Sequence, residues 1–233
     1  MNSSAPTALD ALTLLAGQAP VAVEIRTDSE GVCIRLQQPP LSFHHSFISG
    51  ALAKRARQSN QALIRACNNK SRTIDAVLDL TAGWGADSLT LANHGKQVTL
   101  LEQNVLVHAV LDYSLTCLAQ ESASPEIAGL MHLEATEAGS YLRNLTDDHA
   151  FDCIYLDPMF PARKSSAKPA KEMQILQALT HNLEIETCFD LARQKARKRV
   201  VVKRPAKAPH LASAKPDIVY REKTIRFDVY LTG

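Results

Sequence analysis

From residue 76 onward, short apolar runs alternate with stretches in which apolar residues recur at helical spacing. The runs at 76–80, 97–102, 129–133, 151–156 and 199–202 are short and read as strands. Between them, Val107, Val110, Leu111, Leu115 and Leu118 place a helix over 105–121. A shorter helix is expected over 136–145 and a long one over 173–192. Strands that alternate with helices predict a mostly parallel sheet covered on both faces. Two last runs, 218–221 and 227–231, are separated by a short turn and predict a terminal antiparallel hairpin. The fold class is therefore α/β, Rossmann-like, with a mostly parallel seven-stranded sheet.

Residues 1–45 follow another pattern. Leu9 to Leu15 suits a short helix. The segments 21–25 and 32–36 each alternate apolar and polar residues around Thr27-Asp28-Ser29-Glu30-Gly31, a hairpin signal that Pro39-Pro40 ends. This part is expected to be a small N-terminal α+β appendage, with 46–233 as the main domain. Leu52, Ala56, Leu63, Ile64 and Cys67 continue a helical period across 43–68, interrupted at Gln58-Ser59-Asn60.

The first strand–turn–helix–strand unit carries the first chemistry. It reads Asp79-Leu80-Thr81-Ala82-Gly83-Trp84-Gly85-Ala86-Asp87 and reaches Glu102 at the end of its second strand. An acid at that tip can bind the two hydroxyls of a ribose. Gly83 and Gly85 are expected to let a ligand approach the backbone, since glycine has no Cβ. The dinucleotide fingerprint requires a third glycine, and Ser88 stands there. Asp79 and Asp87 also flank the turn, and two carboxylates suit a cationic ligand better than a pyrophosphate. A sulfonium with an α-amino group fits, which is the description of S-adenosylmethionine (SAM). A dinucleotide site and a ligand-free structural turn are the alternatives. The terminal hairpin is typical of SAM-dependent methyltransferases rather than dehydrogenases.

A second constellation ends the strand at 151–156: Leu156-Asp157-Pro158-Met159-Phe160-Pro161. In open α/β sheets the ligand crevice lies at the carboxyl ends of the strands, so this loop should face the glycine turn. Pro158 biases Asp157 towards an extended backbone. Phe160 offers a face for a base, a stacking worth about 1–3 kcal/mol. The chemistry suggested is methylation of an exocyclic amine, with Asp157, Pro158 and Phe160 as the catalytic loop. Lys164, Lys168 and Lys171 follow and are placed to hold flanking phosphates, and Lys203-Arg204-Pro205 should lie on the same side. A proline-terminated strand whose Asp caps a turn is the plainer alternative.

Composition changes this picture little; charge distribution changes it more. The net charge is only +2, yet 54–72 and 193–207 are basic stretches without an acid, the footprint expected for nucleic acid. A solvated helix face is the alternative for either stretch. Cys33, Cys67, Cys117, Cys153 and Cys188 are never paired as C-x-x-C, so no zinc site or disulfide framework is indicated. Residues 1–20 lack the features of a secretory signal, and no apolar run approaches the roughly 20 residues that span a bilayer. A cytoplasmic protein with no membrane and no metal is expected.

The glycine-turn unit, Leu101-Glu102-Gln103-Asn104, the Asp157 loop, Lys171-Glu172-Met173, Val200-Val201-Val202-Lys203-Arg204-Pro205 and Arg226-Phe227-Asp228-Val229-Tyr230 occur in this order. Together they resemble the RsmJ family, the bacterial 16S ribosomal RNA guanine-N2 methyltransferases, over roughly 75–233. The resemblance implies SAM-dependent methylation of the exocyclic N2 of a guanosine in 16S ribosomal RNA or the small ribosomal subunit. It implies cofactor contacts at Ala86, Asp87, Glu102, Gln103, Thr136, Glu137 and Asp157. The family usually has arginine where Ala86 and Gln103 stand and often two serines at Thr136-Glu137. Two rival functions are kept: methylation of a DNA adenine or protein glutamine amine, and a non-catalytic RNA-binding module.

Overall fold

The computed structural model describes residues 7–58, 61–68, 73–121, 125–146, 150–158, 169–180 and 184–232. It begins with α1 (Ala8–Gly17), β1 (Val23–Thr27), β2 (Val32–Leu36) and β3 (Leu41–His45). Helices α2 (Gly50–Arg57) and α3 (Gln61–Ala66) lead into β4 (Ala76–Asp79), α4 (Ala86–Ala92), β5 (Gln97–Leu101) and α5 (Val105–Gln120). Then come α6 (Pro125–Gly129), β6 (Met131–Glu134), α7 (Ala138–Asn144) and β7 (Cys153–Leu156). The rest is α8 (Lys171–Leu179), α9 (Ile185–Lys195), β8 (Arg199–Pro205), β9 (Ile218–Arg221) and β10 (Ile225–Leu231).

The large sheet has seven strands in the order β6-β5-β4-β7-β8-β10-β9. The pairs from β6 to β8 are parallel, and β10 is antiparallel to both of its neighbours. This is the expected sheet and hairpin. All of β7 is buried, as suits a central parallel strand covered on both faces. Asp152 ties the amino ends together: its carboxylate accepts from Asp75 N at 2.8 Å and pairs with Arg197 and Lys198. At the other end, register aligns Asp79 with Tyr155 and Leu156 with Val202. The chain switches direction across the sheet at β4, whose neighbours are β5 and β7, so the crevice opens above its carboxyl end.

Several elements differ from expectation. The N-terminal hairpin gains a third strand, because Leu41, Phe43 and His45 resume the alternation after the prolines and pair with β2. The helix expected over 173–192 is two helices, α8 and α9; Thr180 is non-helical and polar, and breaks the period. A short helix, α6, precedes β6. The small sheet also shares its core with the large one: Val32, Ile34 and Leu36 pack in the same buried cluster as Leu106, Val110 and Leu111 of α5.

Candidate active site

A pocket of about 870 Å³ lies over the carboxyl ends of β4, β5, β7 and β8. The glycine turn forms its floor. Gly83 and Gly85 have φ of +51° and +67°, the left-handed region that favours glycine. A Cβ on Gly85 would stand 2.8 Å from Phe47 Cζ, and one on Gly83 would stand 3.0 Å from Leu176 Cδ2. Both glycines are thus also required by the protein's own packing, while Gly83 lines the pocket. The turn is also braced from outside. His45 is fully buried, and its ring bridges Trp84 O at 2.9 Å and Ser114 Oγ at 2.7 Å. The carbonyl must accept, so Nε2 carries the proton and Nδ1 accepts from the hydroxyl. Trp84 Nε1 in turn donates to Glu172 O at the start of α8.

Four acids converge here, in two settings. Asp79, at the tip of β4, accepts from Ser88 Oγ at 2.5 Å and Thr81 N at 3.0 Å. Ser88, which stands where a dinucleotide fold has its third glycine, thus ties α4 to β4. Glu102, at the tip of β5, accepts from Gly83 N at 3.2 Å and Asn104 N at 2.8 Å. Burial pushes both carboxyls up to about 7, against those hydrogen bonds.

Asp87 and Asp157 form the other setting. Lys203, on β8, donates from Nζ to Asp87 Oδ2 at 2.7 Å and to Asp157 Oδ2 at 2.8 Å. Tyr155 OH donates to the same Asp87 oxygen at 2.5 Å. The Asp157 backbone N–H donates to Thr81 Oγ1 at 2.6 Å, which locks the strand tip to the glycine turn. Burial pushes Asp87 up, but Lys203 and the tyrosine hydroxyl outweigh it and hold the carboxyl below its usual range. Burial, with the charge of Asp87, leaves Asp157 raised despite Lys203. Burial alone would lower the Lys203 ammonium; its two carboxylates hold it above the ordinary lysine range.

The other sequence-derived positions are distributed as follows. Ala86, Gln103, Thr136 and Pro158 line the pocket with Asp87, Glu102 and Asp157. Glu137 is the N-cap of α7, accepting from Gly139 N at 2.7 Å and Ser140 N at 2.6 Å, and its side chain is occupied there. Phe160, Lys164 and Lys168 lie outside the described residues. The second basic stretch is not a uniform charged surface: Arg197 and Lys198 pair with Asp152, and Arg199 donates to Ala66 O. Arg204 donates to Pro209 O rather than facing the crevice. Tyr155, Thr81 and Arg55, which sequence reasoning did not single out, also line the pocket. The hydroxyl of Tyr155, inside an apolar run, was the available signal.

A Rossmann-like sheet whose pocket has one acid at the tip of β5, and a lysine-bridged acid pair at the other side, has the frame of a SAM-dependent methyltransferase. The residues fit that cofactor. Two carboxylates share one ammonium, so the Asp87 side carries a surplus of negative charge that a cationic methionine end would balance. Asp87 Oδ1 has no protein partner among the described residues. The model of the family described as "Putative SAM-dependent methyltransferase" matches residues 12–232. The ribosomal RNA small subunit methyltransferase J of Actinobacillus pleuropneumoniae serotype 5b is 35% identical over 230 residues, 96% of this chain and 90% of that one. The protein of that name from Coxiella burnetii (strain Dugway 5J108-111) is 38% identical over 196 residues, 82% and 76% of the two chains. The crystal structure of a SAM-dependent methyltransferase from Neisseria gonorrhoeae superposes with a TM-score of 0.68 at 30% identity, covering 95% of this chain and 91% of that one. The chain belongs to the ribosomal RNA small subunit methyltransferase J family. Among the described residues no helix is long and apolar enough to cross a membrane, and no acid, histidine or cysteine cluster could hold a metal.

Proposed function

We propose that the protein methylates the exocyclic N2 of a guanosine in 16S ribosomal RNA, using SAM, in the cytoplasm. One observation carries the reading: Asp157 stands at the tip of β7, backbone-anchored to the glycine turn and within one lysine of Asp87. SAM supplies a methyl group as a cation equivalent, so the amine nitrogen forms the new bond, sulfur keeps the electron pair, and one amine proton leaves. An exocyclic amine is a weak nucleophile because its lone pair is delocalised into the ring. Asp157 supplies the acceptor that orients the N–H groups and takes up charge as the proton departs. Glu102 is assigned to the ribose hydroxyls and Asp87 to the cationic methionine end. Ala86, Gln103, Thr136 and the Glu137 backbone are assigned to the remaining cofactor contacts. Phe160 is assigned to stacking on the base.

A duplex hides the N2 amine, so the target is taken from an unpaired region or flipped out. Arg55, on α2 at the pocket edge, and Lys171, exposed at the start of α8, suit the flanking phosphates. Residues 1–45 are assigned as an appendage that braces the glycine turn on a domain formed by 46–233. Nucleoside mass spectrometry of 16S ribosomal RNA from a strain lacking the protein tests the reading. Loss of one N2-methylguanosine, restored by the wild-type chain and not by Asp157→Ala, is expected. Unchanged ribosomal RNA, with label from SAM entering only DNA or protein, overturns it in favour of another amine methyltransferase.

A further inference from the structure

Lys203 belongs to a basic stretch, yet its place in the structure differs in kind from a phosphate contact. It stands on β8, in register just beyond the Leu156–Val202 pair, and reaches over the tip of β7. Only 21% of its side chain is exposed, and its ammonium lies within 2.8 Å of two carboxylates that belong to different elements. A lysine placed to greet a phosphate would gain nothing from being set among acids. Among the described residues, the titratable groups acting on Asp157 are Lys203 from β8, Asp87 from α4, Asp79 from β4 and Tyr155 from β7. Three of the four are acids or a phenol. Lys203 is the cation.

We propose that Lys203 is a positioning residue for methyl transfer, clamping Asp157 beside Asp87 and keeping its carboxylate charged for the incoming amine. The inference rests on the assignment of Asp157 as the amine acceptor. Without the ammonium, burial and the neighbouring Asp87 both favour the protonated acid. A protonated Asp157 has lost one acceptor and cannot take charge from the amine. The same ammonium draws Asp87 to the same point, so Lys203 also fixes the spacing between the cofactor acid and the acceptor acid. Lysine suits this better than arginine: a compact ammonium serves two single oxygens, whereas a planar fork favours one carboxylate at a time.

The test follows the acid itself. In protein carrying ¹³C-labelled aspartate carboxyls, the Asp157 resonance is assigned by its loss in Asp157→Asn and titrated in wild type, Lys203→Met, Lys203→Gln and Lys203→Arg. The Met and Gln variants are expected to raise the Asp157 midpoint by at least about one pH unit, while Arg keeps it near wild type. In parallel, the acidic limb of kcat for methyl transfer should move upward by the same amount. KM for RNA should stay within about threefold, since the phosphates are held elsewhere. The Gln variant, whose amide still donates to one carboxylate, serves if Met does not fold. An unchanged Asp157 midpoint in the neutral variants overturns the proposal. So does a rise in RNA KM with kcat and its pH profile untouched, which would make Lys203 a phosphate contact. The carboxyl titration requires no RNA, so a mistaken substrate would leave this result readable.

Discussion

Four of the acids that line the pocket divide into two pairs that differ in what donates to them. Asp79 and Glu102 receive hydrogen bonds from a hydroxyl and from backbone N–H groups, all uncharged, and burial pushes both up to about 7. Asp87 and Asp157 share an ammonium, with side chains 20% and 29% exposed. The first pair is built into the turn that shapes the site, and there a carboxyl works as a multiple acceptor whose charge is incidental. The second pair is arranged so that charge is the point. Carboxyl side chains within one pocket therefore stand in different electrostatic settings, and the donors distinguish them.

The comparison breaks most visibly at Asp157. Asp157→Ala is expected to lower methyl transfer by about 10²–10⁴. S-adenosylhomocysteine binding, read by calorimetry, should fall by much less than turnover, because the larger part of the Asp157 role is at the amine. Near-normal turnover would remove Asp157 from its role. On the other side, Asp79→Ala leaves the Ser88 hydroxyl and Thr81 N–H without their buried partner and should cost about 1–3 kcal/mol in urea unfolding. Asp79→Asn keeps an acceptor and should cost less; equal losses would show that the charge matters there after all.

The smallest effect is in the pH dependence of stability. Asp79 and Glu102 have folded values near 7, above their ordinary 3.8 and 4.5. Their contribution is thus complete below about pH 4 and is lost as pH rises towards 7. His45 runs the other way: burial pushes it to about 4, so its contribution is lost as pH falls from about 6.5 to 4. A variant with Asp79→Asn and Glu102→Gln should therefore gain stability more steeply than wild type between pH 4.5 and 6.5, by about 1 kcal/mol or more. Parallel urea midpoints across that range would show that these acids are ionised in the fold.

Most of the large sheet was legible because its strands are short apolar runs and its helices keep a clean period. The place of Glu102 and Asp157 at the pocket was legible because strand tips in such a sheet face one crevice, and that of Asp87 because α4 starts from the turn at the tip of β4. What was hidden depended on partners distant in sequence. Gly85 is set by Phe47 behind the turn, and Phe47 belongs to a segment that reads only as a lead-in. The run Arg197 to Arg204 looks uniformly basic, yet strand alternation and the Asp152 staple send its members to different places. Periodicity reports which side of an element is buried; it does not report which carboxylate waits there. The third strand of the small sheet was lost for a simpler reason, since two prolines read as an end and were only a corner.

The position of β10 has a consequence for biosynthesis. It lies between β8 and β9, although it follows both in the chain. During vectorial synthesis β8 therefore remains a bare edge, with Val200 and Val202 on it, until residues 225–231 have left the ribosome. The strand that carries Lys203 is secured on its far side only then. A chain stalled before that point would expose a valine-rich template for mispairing, the kind of surface on which chaperones and proteases act. The site of an enzyme of ribosomal RNA would thus stay incomplete until β10 had been made and had docked on β8.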